Sequence, residues 1–187
     1  MAEHAPNSRQ CKFDECRQTE AKIGVILGSA SDLDRVGSLF STLQDFGVPY
    51  EVAVISAHRT PELLSKYAST AFGRGIKVII AAAGLSAALP GAVAALVDIP
   101  VVGLPLDAGT LMGVDALLSI VQMPQGVPVA TVGIGNSKNA ALLALRILGV
   151  SSPEVLSRLA DYRESMKKET MDKGLAVSEK GLPSWNP

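Results

Sequence analysis

Aromatic residues are scarce in this chain: Phe, Tyr and Trp make up 4% of its 187 residues, although 48% are apolar. Ala, Val, Ile, Leu and Gly supply that bulk. Small and branched side chains of this kind suit helices packed closely on parallel strands and argue against an all-β sandwich. An excess of charge is also missing. With 17 basic and 18 acidic residues the net charge is -1, so there is no electrostatic footprint for nucleic acid or for an anionic membrane. Cysteine is nearly absent. Cys11 and Cys16 stand in the polar stretch CKFDEC with no second ligand pair beside them, which fits a reduced, solvated tail better than a metal site. The apolar runs are broken by Gly, Pro or Asp before a membrane span is complete, and residues 1–20 lack the apolar segment of a secretory leader. The expected location is the cytoplasm, or an organelle if residues 1–20 act as a targeting extension. Histidine occurs only at His4 and His58.

What the chain does contain alternates regularly. Apolar runs at 22–28, 50–56, 77–83, 101–105 and 127–132 read as buried strands. Between them lie segments with helical spacing. The first carries Leu33, Val36, Leu39, Phe40, Leu43 and Phe46 and stops at Gly47. The second starts with Thr60 as N-cap and Pro61 at the first helical position. Further helices are expected at 90–97, 113–122 and 136–149, and a charged one at 153–173 opened by Ser152 and Pro153. Strands that are apolar throughout and alternate with helices predict a parallel sheet covered on both faces. The expected fold is therefore α/β: a three-layer αβα sandwich with a flavodoxin-like parallel five-stranded sheet, plus the C-terminal helix. Residues 1–20 read as a disordered extension, 21–175 as one α/β domain with the C-terminal helix, and 176–187 as a flexible tail.

In such folds ligands bind outside the carboxyl ends of the strands, near the point where the strand order reverses. The loops there are GSASD, SAHRT, GLSAAL and LDAGTLMG. GSASD (28–32) opens a helix directly after a strand, where backbone N–H groups attract anions; Ser29 and Ser31 add hydroxyls and Asp32 can accept from a sugar hydroxyl. A plain Ser/Asp N-cap explains the same residues equally well. The segment is neither a P-loop nor a GxGxxG turn, which argues against NAD or FAD. SAHRT (56–60) says more. It places His58, the only histidine outside the tail, beside Arg59, whose guanidinium suits a phosphate. With a phosphate held at Arg59, the rest of a substrate comes within reach of an imidazole, a group that titrates near neutrality and moves protons there. AAAGLSAALPG (81–91) is bare of functional groups; Gly84, Ala87 and Gly91 would let a planar ligand approach the backbone, or simply allow tight helix–sheet packing. Met123-Pro124 and Gly126-Val127-Pro128 make a rigid connector. No cluster of His, Cys, Asp or Glu has metal-ligand spacing, and there is no nucleophile elbow. A phosphate anchor and one base in a dry cleft suit proton transfer on a phosphorylated metabolite.

Taken together, GSASD, SAHRTP, AAGLSAALPG, GVDALLSIVQMPQGVPVATV and NAALLALRIL, in order over residues 22–170, resemble the class I N5-carboxyaminoimidazole ribonucleotide mutases (the phosphoribosylaminoimidazole carboxylase catalytic subunit family). The resemblance implies an enzyme of de novo purine biosynthesis that moves a carboxylate from N5 to C4 of an aminoimidazole ribonucleotide. It implies trapped CO2 as an intermediate, no metal, biotin or nucleotide cofactor, and a homo-octamer with sites between subunits. It makes His58 the proton shuttle and Arg59 a phosphate contact. Ser29, Ser31, Asp32, Ser56, Ala57, Gly84, Ser86, Ala87 and Leu89 become further substrate contacts. One position departs: Ala88 stands where most class I members carry histidine, and GLSAAL is closer there to the class II enzymes, which carboxylate aminoimidazole ribonucleotide directly with CO2. AHR and SIVQMP side with class I. The alternatives are that direct carboxylase, or a non-catalytic paralogue that binds a phosphoribosyl ligand.

Overall fold

In the computed structural model, which describes residues 20–180, the alternation becomes one parallel sheet. Strands β1 (Ile23–Leu27), β2 (Tyr50–Val54), β3 (Val78–Ala83), β4 (Val101–Pro105) and β5 (Ala130–Thr131) lie in the order β2-β1-β3-β4-β5, each pair parallel. The helices are α1 (Gly37–Asp45), α2 (Pro61–Ala71), α3 (Ala88–Ala94), α4 (Val114–Val121), α5 (Ser137–Gly149) and α6 (Pro153–Glu179). Alternate strand residues enter opposite cores. Ile23, Val25 and Leu27 pack with Leu39 and Leu43 of α1 and Ala140, Ala144 and Leu145 of α5. Ile26, Ile79 and Ala81 pack with Leu64 of α2, Val93 of α3 and Ile120 of α4. The three-layer αβα sandwich expected from the pattern is the fold observed. Burying each of the larger side chains, such as Ile80 or Leu104, contributes about 1.5–3 kcal/mol.

The differences from expectation have local causes. The first helix is divided: Ala30–Val36 winds as a 3-10 helix before α1 begins. A capping box at Ser29 and Asp32 ties its first turn, and tight winding is common at such starts. The last strand, expected over 127–132, shrinks to Ala130–Thr131. It is an edge strand, Pro128 has no N–H to give, and Gly126 sits at φ 91°. Thr60 occupies the N-cap position of α2 but makes no side-chain cap bond; its hydroxyl turns back to Ser56. The C-terminal helix continues past 173 to Glu179, reaching into the stretch expected as a tail. The extension expected over 1–20, with His4, Cys11 and Cys16, lies outside the described residues except for Glu20, as do 181–187. Among the described residues, no helix is long and apolar enough to cross a membrane.

Candidate active site

The sheet order places β1 between β2 and β3, so the chain leaves β1 toward one face and β3 toward the other. A cleft of about 600 Å³ opens where these loops part, at the carboxyl ends of the strands. Every site residue expected from sequence lines it: Ser29, Ser31 and Asp32 after β1; Ser56, Ala57, His58 and Arg59 after β2; Gly84, Ser86, Ala87 and Leu89 after β3. Ala88 lines it too, as do Arg35 and Ala108, which the sequence reading did not single out. Arg35 had a usable signal. It lies three residues after Asp32, and in a 3-10 helix residues i and i+3 eclipse.

In the first loop the N-cap explanation is realised without using up the polar groups. Ser29 N–H donates to Asp32 Oδ2 at 3.0 Å, and Ser29 Oγ accepts from Ser31 N–H at 3.4 Å and lies 2.9 Å from Ser31 Oγ. One Asp32 oxygen thereby orients the carboxylate. Burial pushes the Asp32 carboxyl above its ordinary range, against the Ser29 N–H and the Arg35 guanidinium, which draw it down.

The second loop is a turn tied to itself. Thr60 Oγ1 accepts from Ser56 N–H at 3.1 Å and donates to Ser56 O at 3.0 Å, while Thr60 N–H donates to the same carbonyl at 2.9 Å. Ser56 Oγ accepts from Arg59 N–H and from Arg59 Nε, both at 3.3 Å. Arg59 Nη2 reaches across to the Gly28 carbonyl at 3.4 Å, which brings its charge to the mouth of the first loop. Between these anchors His58 projects into the cleft, and no described residue hydrogen-bonds its imidazole.

The third loop is shaped by close packing. A Cβ on Gly84 would lie 2.7 Å from Ala108 Cβ, so packing accounts for that glycine; one on Gly91 would lie 3.0 Å from the end of the Met123 side chain. Leu85 takes φ 54°, a left-handed conformation unusual for its type, and its side chain is 54% exposed. Ala87 and Leu89 are buried.

In the single chain His58, Arg59 and Ser31 are exposed on the cleft rim. The single chain supplies a floor and a rim but no roof, and Leu111 and Met112, on the loop after β4, stand 59% and 64% exposed.

The fold and the cleft can be set beside known proteins. The family model described as AIR carboxylase matches residues 22–169. The N5-carboxyaminoimidazole ribonucleotide mutase of Pyrococcus horikoshii is 53% identical over 159 residues, covering 85% of this chain and 90% of that protein. The Synechocystis protein of the same name is 51% identical over 163 residues, 87% of this chain and 93% of that one. The chloroplastic phosphoribosylaminoimidazole carboxylase of Vigna aconitifolia is 52% identical over 163 residues, 87% of this chain but 29% of that larger protein. Among solved structures, Treponema denticola PurE superposes with a TM-score of 0.73 at 30% identity, covering 83% of this chain and 97% of that one. The match spans every strand and every cleft loop described above, and this chain belongs to the AIR carboxylase family.

Proposed function

We propose that the protein converts N5-carboxyaminoimidazole ribonucleotide to 4-carboxyaminoimidazole ribonucleotide in purine biosynthesis. The observation that carries this reading is the joining of His58 and Arg59 on one self-tied turn, facing Ser29 and Asp32 across a single cleft. It is supported by the mutase names of relatives that match nearly end to end. Arg59 grips the phosphate, Ser29, Ser31, Ser56 and Asp32 hold the sugar and ring, and backbone groups of Ala57, Gly84, Ser86, Ala87 and Leu89 line the ring's plane. The N5–carboxyl bond breaks and releases CO2, the enamine-like C4 attacks that CO2, and a C4–carboxyl bond forms. His58 takes the proton from C4 and returns one to N5, so protons and electrons balance. Holding ring and CO2 together is a proximity effect and requires a dry cavity.

A roof from other subunits meets that requirement, and the assembly proposed is a homo-octamer in the cytoplasm. Val114, Leu118 and Val121 form an exposed stripe along α4, at the i, i+4, i+7 spacing of one helix face.

The reaction is tested with substrate labelled by 13C at the carbamate carbon, in unlabelled bicarbonate buffer. The expected product carries the label in the carboxylate bonded to C4. No product from this substrate, combined with turnover of aminoimidazole ribonucleotide plus bicarbonate, would replace the mutase with a direct carboxylase. Arg59→Ala removes one charged hydrogen-bonding partner, a contribution of about 1.5–3 kcal/mol. KM then rises roughly 10- to 100-fold with a smaller change in kcat. An unchanged KM would refute the phosphate contact.

A further inference from the structure

Arg35 lies in the last turn of the 3-10 helix, on the side that faces the cleft, and its Nη1 donates to both the Asp107 carbonyl at 2.9 Å and Asp107 Oδ1 at 2.7 Å. Asp107 follows β4 directly after the buried Leu106. The loop it opens is held close to its neighbours. Ala108 N–H donates to Leu106 O at 2.9 Å, Ala108 Cβ occupies the space a side chain on Gly84 would need, and a Cβ on Gly109 would come within 2.6 Å of Leu85. Over Asp107, Ala108 and Gly109, therefore, the loop after β4 meets both the 3-10 helix after β1 and the loop after β3. The two side chains are 42% and 49% exposed, and an ion pair so exposed adds little to stability. Its effect lies in position and field.

Four charged or titratable side chains line the cleft with Asp32 or reach it through Arg35: Arg35 on its own helix, His58 and Arg59 from the loop after β2, and Asp107 from the loop after β4. The lining residues after β3 bring none. We propose that Arg35 is a positioning residue of this cleft: it shares the 3-10 helix and the cleft lining with Asp32, ties the loop after β4 to that helix, and brings to the cleft a positive charge that Asp107 partly neutralises. The burial of Asp32 opposes its ionisation, so a neighbouring cation has something to offset. The inference rests on the proposed mutase reading only in taking Asp32 as a substrate contact.

The test is a pH titration of the Asp32 carboxyl by 13C NMR in the full-length, ligand-free protein, with the signal assigned by its loss in Asp32→Asn. Arg35→Gln should raise the midpoint, because a cation is removed. Asp107→Asn should lower it, because Arg35 is left un-neutralised. Arg35→Lys should return most of the Arg35→Gln displacement. The acid limb of kcat/KM should follow the same order. A tie that is only structural would be loosened by both substitutions, and midpoints that move together, or stay in place, overturn the proposal. The titration needs no turnover, so a failed mutase assay leaves it standing, and normal turnover with immobile midpoints refutes the proposal alone.

Discussion

His58→Asn loses most of its turnover, with kcat falling roughly 10²–10⁴-fold, the range a positioned general acid–base contributes. Carboxylate transfer from N5 to C4 needs one proton removed from carbon and one delivered to nitrogen. An imidazole does both, because its neutral form accepts and its charged form donates near neutral pH. An asparagine amide can fill much of the same space and hydrogen-bond, but it neither gains nor loses a proton in that range. The fold should not notice the change. The imidazole is exposed and no described residue bonds to it, so stability stays within about 0.5 kcal/mol of the parent protein. The phosphate contact is proposed for Arg59, whose bonds to Ser56 and Gly28 do not involve the histidine. Rates on the labelled substrate, melting temperature and calorimetric binding of the 4-carboxy product separate these effects. A variant that melts normally, binds product and still turns over at full rate would end the assignment of His58.

Gly103→Val is the most damaging change expected in the scaffold. Gly103 sits mid-strand in β4, opposite Ala81 of β3, on the face that α3 and α4 cover. A Cβ there would stand 2.4 Å from Ile120, 2.8 Å from Val129 and 3.5 Å from Pro90. Two small residues side by side let the helices settle directly on the strands. Valine returns up to about 1 kcal/mol of strand preference, but overpacking of this severity costs more, about 3 kcal/mol. The expected net loss of about 2 kcal/mol is read as a lower urea midpoint. The damage also reaches the cleft. Pro90 belongs to α3, and α3 begins at Ala88 in the lining, so KM should rise along with the loss of stability. Gly37→Ala is the control. Gly37 has φ -53° and nothing within 4 Å of the added carbon, so alanine should be neutral or stabilise by up to about 1 kcal/mol. Equal stability of the valine variant and the parent would show that α4 is not seated on this strand as described.

How much could be read without coordinates differs from loop to loop. SAHRT was legible because a mainly apolar run before it and a Thr-Pro helix start after it left only a strand-to-helix turn between them, and a parallel sheet sends all such turns to one edge. GSASD left two explanations open: the structure shows the cap, with Ser29 and Asp32 tying the 3-10 helix, and it turns the same two residues toward the cleft. Glycine at 84 and 91 was ambiguous for a different reason. Only the distance to Ala108 or Met123, residues far away in sequence, shows that packing requires glycine at 84 and that the methionine side chain lies against it at 91. The pairing of Arg35 with Asp107 was out of reach, since 72 positions separate the two residues.

By itself, the order of residues determined the layers, the parallel sheet and the edge at which chemistry-bearing loops collect. These follow from hydrophobic period and turn chemistry, which act over a few neighbouring residues. Tertiary structure alone decided which side chains share the cleft floor, that β5 is a two-residue edge and that Arg35 bridges to Asp107. It also decided that the histidine stands in solvent in the single chain. Close packing and ion pairing act through space rather than along the chain, so they become definite only when distant segments meet.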